Sequence, residues 1–437
     1  MAESWSANSN NATVLKLVGA PEPSNSAFHP EFTYPIFGEA ETIYGYQGLA
    51  INLHFASGSL QPILKVDYSA KNESTTAKID DVDATLREFL PADCLGREQQ
   101  SIFDETVAKE ASNFRPLGEK VSSYTRRRSG SKGKGKARNG AGPSSGASLS
   151  EDDPEARVFE VYRSTWDTEG FREYHRRMQI FALFFIEGAS YIQEDETNWE
   201  FFCLYERVRP QAHDEPPSWH FVGYTSLYRF WCWPDAARMR LSQFVILPPY
   251  QKAGHGGALY TTVHGEMLKR SEVTEMTVED PSEAFDRLRD GSDLRRLLAP
   301  GGFVEHAKAE QRLRAPIDRN WSEEQRLRNK IAPRQWNRLV EMLQLLHLDP
   351  EDAEQVRAYR LQVKARLFRF NKDILTQLPK HERLVKLQET YESVIDEYGE
   401  LVGVDVELIL AVGEAQGEIG RHAGAEEGPP RKMARFV

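Results

Sequence analysis

The chain has little cysteine. Cys94, Cys203 and Cys232 are scattered over 437 residues with no CxxC pair among them. That excludes a disulfide-stapled scaffold and a zinc ribbon, suits a reducing compartment, and leaves no metal site to expect. Long apolar runs are also missing. The longest, Ile180 to Ile186, is far short of the roughly 20 residues that cross a bilayer, so no membrane partner is expected. The amino end, MAESWSANSNN, has neither the basic start nor the apolar follow-on of a secretory signal. An excess of positive charge is absent too: 55 lysines and arginines face 66 aspartates and glutamates, for a net charge of -11. This balance argues against direct nucleic-acid binding and suits a basic partner. What remains is a 40% hydrophobic chain, long enough for two or three domains, that reads as soluble and intracellular.

The most informative stretch runs from Leu241 to Ser282. Phe244-Val245-Ile246-Leu247 is a short apolar run stopped by Pro248 and Pro249. A glycine-rich turn follows: Gln251, Lys252, Ala253, Gly254, His255, Gly256 and Gly257. Ala258, Leu259, Thr262, Val263, Met267 and Leu268 then recur at helical spacing. From Val273 to Glu279 the alternation of Met276 and Val278 with Thr277 and Glu279 is that of a strand. The order is strand, glycine turn, helix, strand. A helix that begins in glycines exposes unpaired N–H groups at the positive end of its dipole, and without Cβ atoms a phosphate can approach them. A Walker loop does not fit, because Ala258-Leu259 follow Gly257, and Gly254, Gly256 and Gly257 lack the spacing of a dinucleotide fingerprint. The pattern that fits is Q-x-x-G-x-G, at Gln251, Gly254 and Gly256.

That pattern resembles the pyrophosphate loop of the GCN5-related N-acetyltransferases. A wider ordered set resembles the type B histone acetyltransferases of that superfamily, in a fungal form with an inserted basic linker. It comprises Ser242 to Leu247, the QKAGHGG loop, Val278-Glu279-Asp280-Pro281-Ser282, Leu288-Arg289-Asp290, Gly170 to His175, Phe185-Ile186-Glu187, Val222-Gly223-Tyr224, Pro30 to Tyr34 and Gly45 to Leu49. The resemblance implies an α+β chain with the acetyltransferase fold, a mixed and mostly antiparallel sheet flanked by helices, with an N-terminal mixed α/β domain and a C-terminal helical domain. It implies acetyl-CoA as co-substrate and histone H4, accompanied by H3, as substrate. A WD-repeat histone-binding chaperone would be the partner, and the protein would be both cytoplasmic and nuclear.

Roles carry over residue by residue. The family's general base is the Glu of Glu-Asp-Pro, here Glu279, with Glu187 and Asp280 as further acids able to share the proton. Free lysine, with a pKa of about 10.4, is almost wholly charged at neutral pH, so attack on a thioester needs a proton acceptor. No cysteine lies near the loop, so direct attack is expected. The resemblance assigns the pantetheine arm to Phe244, Val245 and Ile246, the pyrophosphate to Gln251 through Gly257, and further cofactor contacts to Ser282 and Gly291. The His255 ring is expected to face outward, its backbone N–H being the useful group. Asp280 reads as a helix cap with Pro281 at the first helical position and Glu283 at the third. Glu39, Ala40, Glu41, Trp199, Tyr228, Arg229 and Phe230 match histone-contacting positions. Two other readings stand beside this one: a non-catalytic histone-chaperone subunit with an acetyltransferase-like fold, and an acetyltransferase of small amines.

Composition divides the chain as follows. Residues 1–14 are polar and expected to be disordered. Residues 15–121 read as the N-terminal domain, and 122–153 as a disordered Gly/Ser/Lys/Arg insertion. The transferase core is expected over 154–307, with a short closing strand at Gly301 to Val304. Helices follow over 308–415 and a polar tail over 416–437. The insertion resembles a nuclear-import signal. Its Gly-Lys repeats also resemble the tail that the family acetylates, which makes Lys132, Lys134 and Lys136 candidates for self-acetylation.

Overall fold

In a computed structural model of the chain, the structure describes residues 5–73, 78–127, 149–210 and 216–410. These form two compact units, divided between Asp280 and Pro281.

The first unit is built on two sheets and two short ribbons. β1 (Ser6–Asn8) pairs with β3 (Thr42–Tyr44), and β4 (Tyr46–Gln47) pairs with β7 (Ala70–Lys71). β2 (Thr13–Val18), β5 (Ala50–Ala56) and β6 (Pro62–Asp67) form a three-stranded sheet. The helices of this part are α1 (Ser9–Ala12), α2 (Tyr34–Phe37), α3 (Val82–Arg87) and α4 (Gln100–Asn113). The main sheet runs in the order β13 (Val273–Val278), β12 (Ala236–Ile246), β11 (Ser218–Cys232), β10 (Trp199–Val208), β9 (Ala156–Thr165) and β8 (Glu119–Arg127). Only β12 and β13 are parallel; the other pairs are antiparallel. This is the mixed, mostly antiparallel sheet expected from the sequence. Every residue from Glu200 to Glu206 of β10 is buried, as a central strand covered on both faces requires. α5 (Phe171–Met178), α6 (Ile180–Phe185) and α7 (His255–Lys269) complete the unit, with α7 packed against β8, β10, β12 and β13.

Several sequence expectations change here. Residues 5–14 are ordered, not disordered: Asn8 caps α1, Thr13 Oγ1 donates to the Ser9 carbonyl, and both Ser9 and Thr13 are buried. Their short polar side chains satisfy the backbone locally, so low hydrophobicity misleads. The stretch before 121 does not separate from the transferase core. The Phe55 and Phe181 rings lie 4.8 Å apart, Phe221 N–H donates to Ser57 O, and the N–H groups of Glu31 and Phe32 both donate to Phe184 O. Residues 122–127 are the second half of β8, paired with β9, rather than part of a disordered insertion. Residues 128–148, with Lys132, Lys134 and Lys136, lie outside the described residues, as does the tail from 411.

The second unit is helical: α8 (Glu283–Leu297), α9 (Phe303–Ala309), α10 (Arg319–Asn329), α11 (Pro333–Leu346), α12 (Ala353–Phe370), α13 (Lys372–Leu375) and α14 (Lys380–Val402). Phe303 and Val304 begin α9 and form no closing strand, so the helices start before residue 308. Trp336, Leu339, Leu343, Tyr359, Tyr391, Ile395 and Tyr398 share its core. Its buried charges are closely paired. Asp290 accepts from Gln335 Nε2 and Arg338 Nη2, both at 2.7 Å. Glu341 accepts from Arg366 at 2.7 and 2.8 Å and from Tyr398 Oη at 3.1 Å. No helix of the described residues is long and apolar enough to cross a membrane.

Candidate active site

The site begins with an irregularity in β12. β13 accompanies this strand only from Ala237 to Leu241, a pairing that Glu279 N–H extends by donating to Leu241 O at 2.9 Å. On the other side, the register with β11 slips between Thr225 and Leu227, so Ser242 and Gln243 form a bulge. A bulge bends its strand and re-aims the side chains beside it. This one is held by side chains: Gln243 N–H donates to Ser226 Oγ (3.1 Å), Thr225 Oγ1 donates to Gln243 O (2.7 Å), and Tyr224 Oη donates to Gln243 Oε1 (2.7 Å). Past the bulge, Phe244 to Ile246 stay on β11 alone, and Gly223 lies so close that a Cβ there would sit 2.2 Å from Val245 O. β12 therefore leaves β13 at the point where the proposed base ends its own strand.

The divergence opens a cleft of about 590 Å³. Glu279, Asp280 and Glu187 all line it, together with Trp199, Tyr228 and Phe230. The three rings make a continuous wall, with centroids 4.9 Å apart for Trp199 and Tyr228 and 4.7 Å for Tyr228 and Phe230. Glu279 is 41% exposed; Ser242 Oγ donates to its Oε2 at 2.6 Å, and Arg240 Nη1 stands 3.8 Å from its Oε1. The Arg240 guanidinium lies over the Phe230 ring at 4.4 Å. Trp199 Nε1 donates to Glu196 Oε2 at 3.0 Å, and Gln243 Nε2 donates to Ser190 O at 2.9 Å. Sequence reasoning missed Arg240, Ser242 and Glu196 as cleft residues. Arg240 and Ser242 had a signal: two residues apart on β12 and ahead of the apolar run, they fall on one face of the strand at period two.

Other expected substrate residues lie elsewhere. Arg229 points to the opposite face of β11 from Tyr228 and Phe230 and is exposed. Glu39, Ala40 and Glu41 are not in the cleft lining. Glu41, half-buried at φ 45°, accepts from the N–H groups of Thr33 (2.7 Å) and Tyr34 (3.1 Å) and from Asn10 Nδ2 (2.7 Å). Tyr34 Oη in turn accepts from Gly188 N–H at 2.6 Å, at the cleft lip beside Glu187. Glu41 thus supports the cleft through Tyr34 and does not enter it.

The glycine turn follows β12. Pro248–Tyr250 form a 3-10 turn, and Gln251 Nε2 donates back to Ile246 O at 2.9 Å. Lys252 (φ 60°) and Gly254 (φ 82°) are both left-handed, which reverses the chain into α7. No side chain caps α7 and no acid stands in its first turn. The first N–H groups of α7 therefore lack an intrahelical or side-chain acceptor, a donor set that suits a diphosphate. By this test the turn fits the phosphates of acetyl-CoA, which Gln251, Lys252, Ala253, Gly254, Gly256 and Gly257 would hold, with Phe244, Val245 and Ile246 along the arm leading there. The His255 ring corrects the expectation, since it faces inward. It is 2% exposed, 4.2 Å from the Phe159 ring, and shares a 2.8 Å hydrogen bond between Nδ1 and Tyr124 Oη. Burial, then the charges of Arg126 and Arg157, push its pKa down to about 3, so it is neutral near pH 7. The cap of α8 is Ser282, whose Oγ accepts from Phe285 N–H at 3.2 Å, and not Asp280, which is left-handed at φ 31°. Ser282 and Gly291 belong to the second unit. Among the described residues no group of three His, Cys, Asp or Glu is placed to hold a metal ion.

Residues 5–187 match the family described as histone acetyl transferase HAT1 N-terminus, and residues 290–349 match fungal HAT1, C-terminal. The chain is 60% identical to the histone acetyltransferase type B catalytic subunit of Mycosarcoma maydis, with 100% of both chains covered. It is 46% identical to that of Cryptococcus neoformans (92% of this chain, 98% of the relative) and 32% identical to that of Rattus norvegicus (88% and 85%). The chain belongs to the family of histone acetyltransferase type B catalytic subunits.

Proposed function

We propose that the chain transfers acetyl from acetyl-CoA to lysines in the N-terminal tail of newly synthesised, non-nucleosomal histone H4, by direct attack with Glu279 as general base. The observation that carries this reading is the cleft at the β12 divergence, where Glu279 stands beside an aromatic wall. When bound, acetyl-CoA supplies an activated thioester; all other work falls to this chain. Trp199, Tyr228 and Phe230 bind the apolar stem of the lysine and exclude water from it. Glu279 takes the ammonium proton, which leaves the amine neutral for attack. Ser242 holds Oε2 of Glu279 and so keeps its other oxygen turned toward the cleft, with Arg240 3.8 Å from that second oxygen. Glu187 and Asp280 add negative charge that attracts the cationic tail, and they offer the proton a further path. The likeness to type B catalytic subunits supports the histone acetyltransferase part of this reading, to which histone H3 accompanying H4, a WD-repeat chaperone partner, and a distribution between cytoplasm and nucleus also belong.

The test is acetyl transfer to a histone H4 tail peptide by wild type and Glu279→Gln across pH. The variant should bind acetyl-CoA normally, be slow near neutrality, and recover toward high pH as lysine deprotonates unaided. Wild-type rates at every pH would move the base to Glu187 or Asp280.

A further inference from the structure

Arg126, near the end of edge strand β8, lies against the glycine turn. Its Nη2 donates to Gly254 O at 3.3 Å, and its guanidinium lies over the Tyr124 ring at 5.2 Å. It is exposed, and no carboxylate of the described residues pairs with it. This position is electrostatically unfavourable in isolation. Gly254 is the residue before α7, so the guanidinium stands at the positive end of a helix of 15 residues, where a cation is repelled. Lys252 adds a second cation to the same turn. The pKa of His255, the first residue of α7, is lowered first by its burial and then by the charges of Arg126 and Arg157. Cations gathered where they repel one another, without a carboxylate, are balanced by an anion that arrives from outside.

We propose that Arg126 binds a phosphate group of the cofactor, as a binding residue contributed by the edge strand of the sheet. This rests on reading Gln251 to Gly257 as the diphosphate loop. The arm is preset: the Tyr124 ring carries the guanidinium, and Tyr124 Oη holds His255 at the start of the helix. A planar guanidinium offers a phosphate two N–H groups at once, which an ammonium does not. Acetyl-CoA carries phosphate at its diphosphate and at the ribose 3′ position, and a cofactor lacking the latter separates the two.

The experiment measures binding of acetyl-CoA and of dephospho-acetyl-CoA by calorimetry for the full chain as wild type, Arg126→Gln and Arg126→Lys. Arg126→Gln should weaken acetyl-CoA binding about tenfold, or about 1.4 kcal/mol, with a shallower salt dependence, partial recovery in Arg126→Lys, and an unchanged kcat at saturating cofactor. If the gap persists with dephospho-acetyl-CoA the contact is to the diphosphate; if it vanishes the contact is to the 3′-phosphate. Acetyl-pantetheine, which has no phosphate, should serve both proteins equally. Wild-type affinity for acetyl-CoA in Arg126→Gln, or an equal loss with acetyl-pantetheine, overturns the proposal. Failure of the wild type to bind acetyl-CoA at all overturns the loop reading instead.

Discussion

Glu279 in the first unit and Glu341 in the second are the same residue type put to opposite uses. Glu279 is 41% exposed, with one close donor, Ser242, and a cation at 3.8 Å. The Glu341 side chain is 3% exposed and accepts three hydrogen bonds from Arg366 and Tyr398. A carboxylate whose oxygens are filled with donors in a dry core cannot meet a ligand, so it acts on stability. A carboxylate with solvent on one side and a single donor on the other keeps an oxygen available for exchange. What separates the two is how many of their lone pairs the fold has already filled, more than their charge.

Exchanging each for a neutral residue sharpens the contrast. The largest effect should come from Glu279→Gln, with kcat near neutrality falling about 10²–10⁴-fold while the urea midpoint stays within experimental scatter, as for other exposed substitutions. A matching loss of stability would break the comparison. Glu341→Ala should do the reverse. It leaves Arg366 half-buried and uncompensated, at a cost of about 3–5 kcal/mol in urea unfolding. An unchanged midpoint would show that the pair is dispensable.

A third effect lies in the first unit. Burial pushes His175 and His255 down to about 3 and His220 to about 4, from an ordinary value of 6.5. Each binds its proton less readily folded than unfolded. Between about pH 6.5 and these lower values the unfolded chain takes up more protons, so stability falls as pH falls. His175 sits among Trp166, Phe171 and Phe201 with neither ring nitrogen hydrogen-bonded. His175→Phe should therefore lose about 2 kcal/mol less than wild type between pH 7 and 4.5; an identical loss would remove His175 from the account. The smallest effect should be that of Ser242→Ala, a several-fold drop in kcat with KM for the peptide unchanged, because Glu279 keeps its place and loses only its orientation.

Much of this was legible before any coordinates. The glycine turn, the helix after it and the alternation of Val273 to Glu279 are local patterns; α7 appears where its pattern puts it, and β13 ends one residue earlier, at Val278. The errors were local patterns outvoted by packing. Gly301-Gly302-Phe303-Val304 looks like a strand, yet Val304 and Ala307 face the helical core one helical turn apart. Asp280 is a good capping residue, but the chain turns left-handed there and Ser282 takes the role.

By itself, the sequence determined the type of chemistry. A glycine-rich helix start calls for an anion by residue type alone, while Glu279 as proton acceptor was implied by the resemblance of its Glu-Asp-Pro to the family's. Only the tertiary structure decided which residues meet. The β12 bulge at Ser242 and Gln243 depends on Ser226, Thr225 and Tyr224 of another strand, and the inward turn of His255 depends on Tyr124 and Phe159. The withdrawal of Glu41 from the cleft depends on three donors around residues 10 and 33. A side chain with hydrogen-bonding capacity goes where its donors are, and those donors lie far away in sequence, beyond the reach of any local pattern.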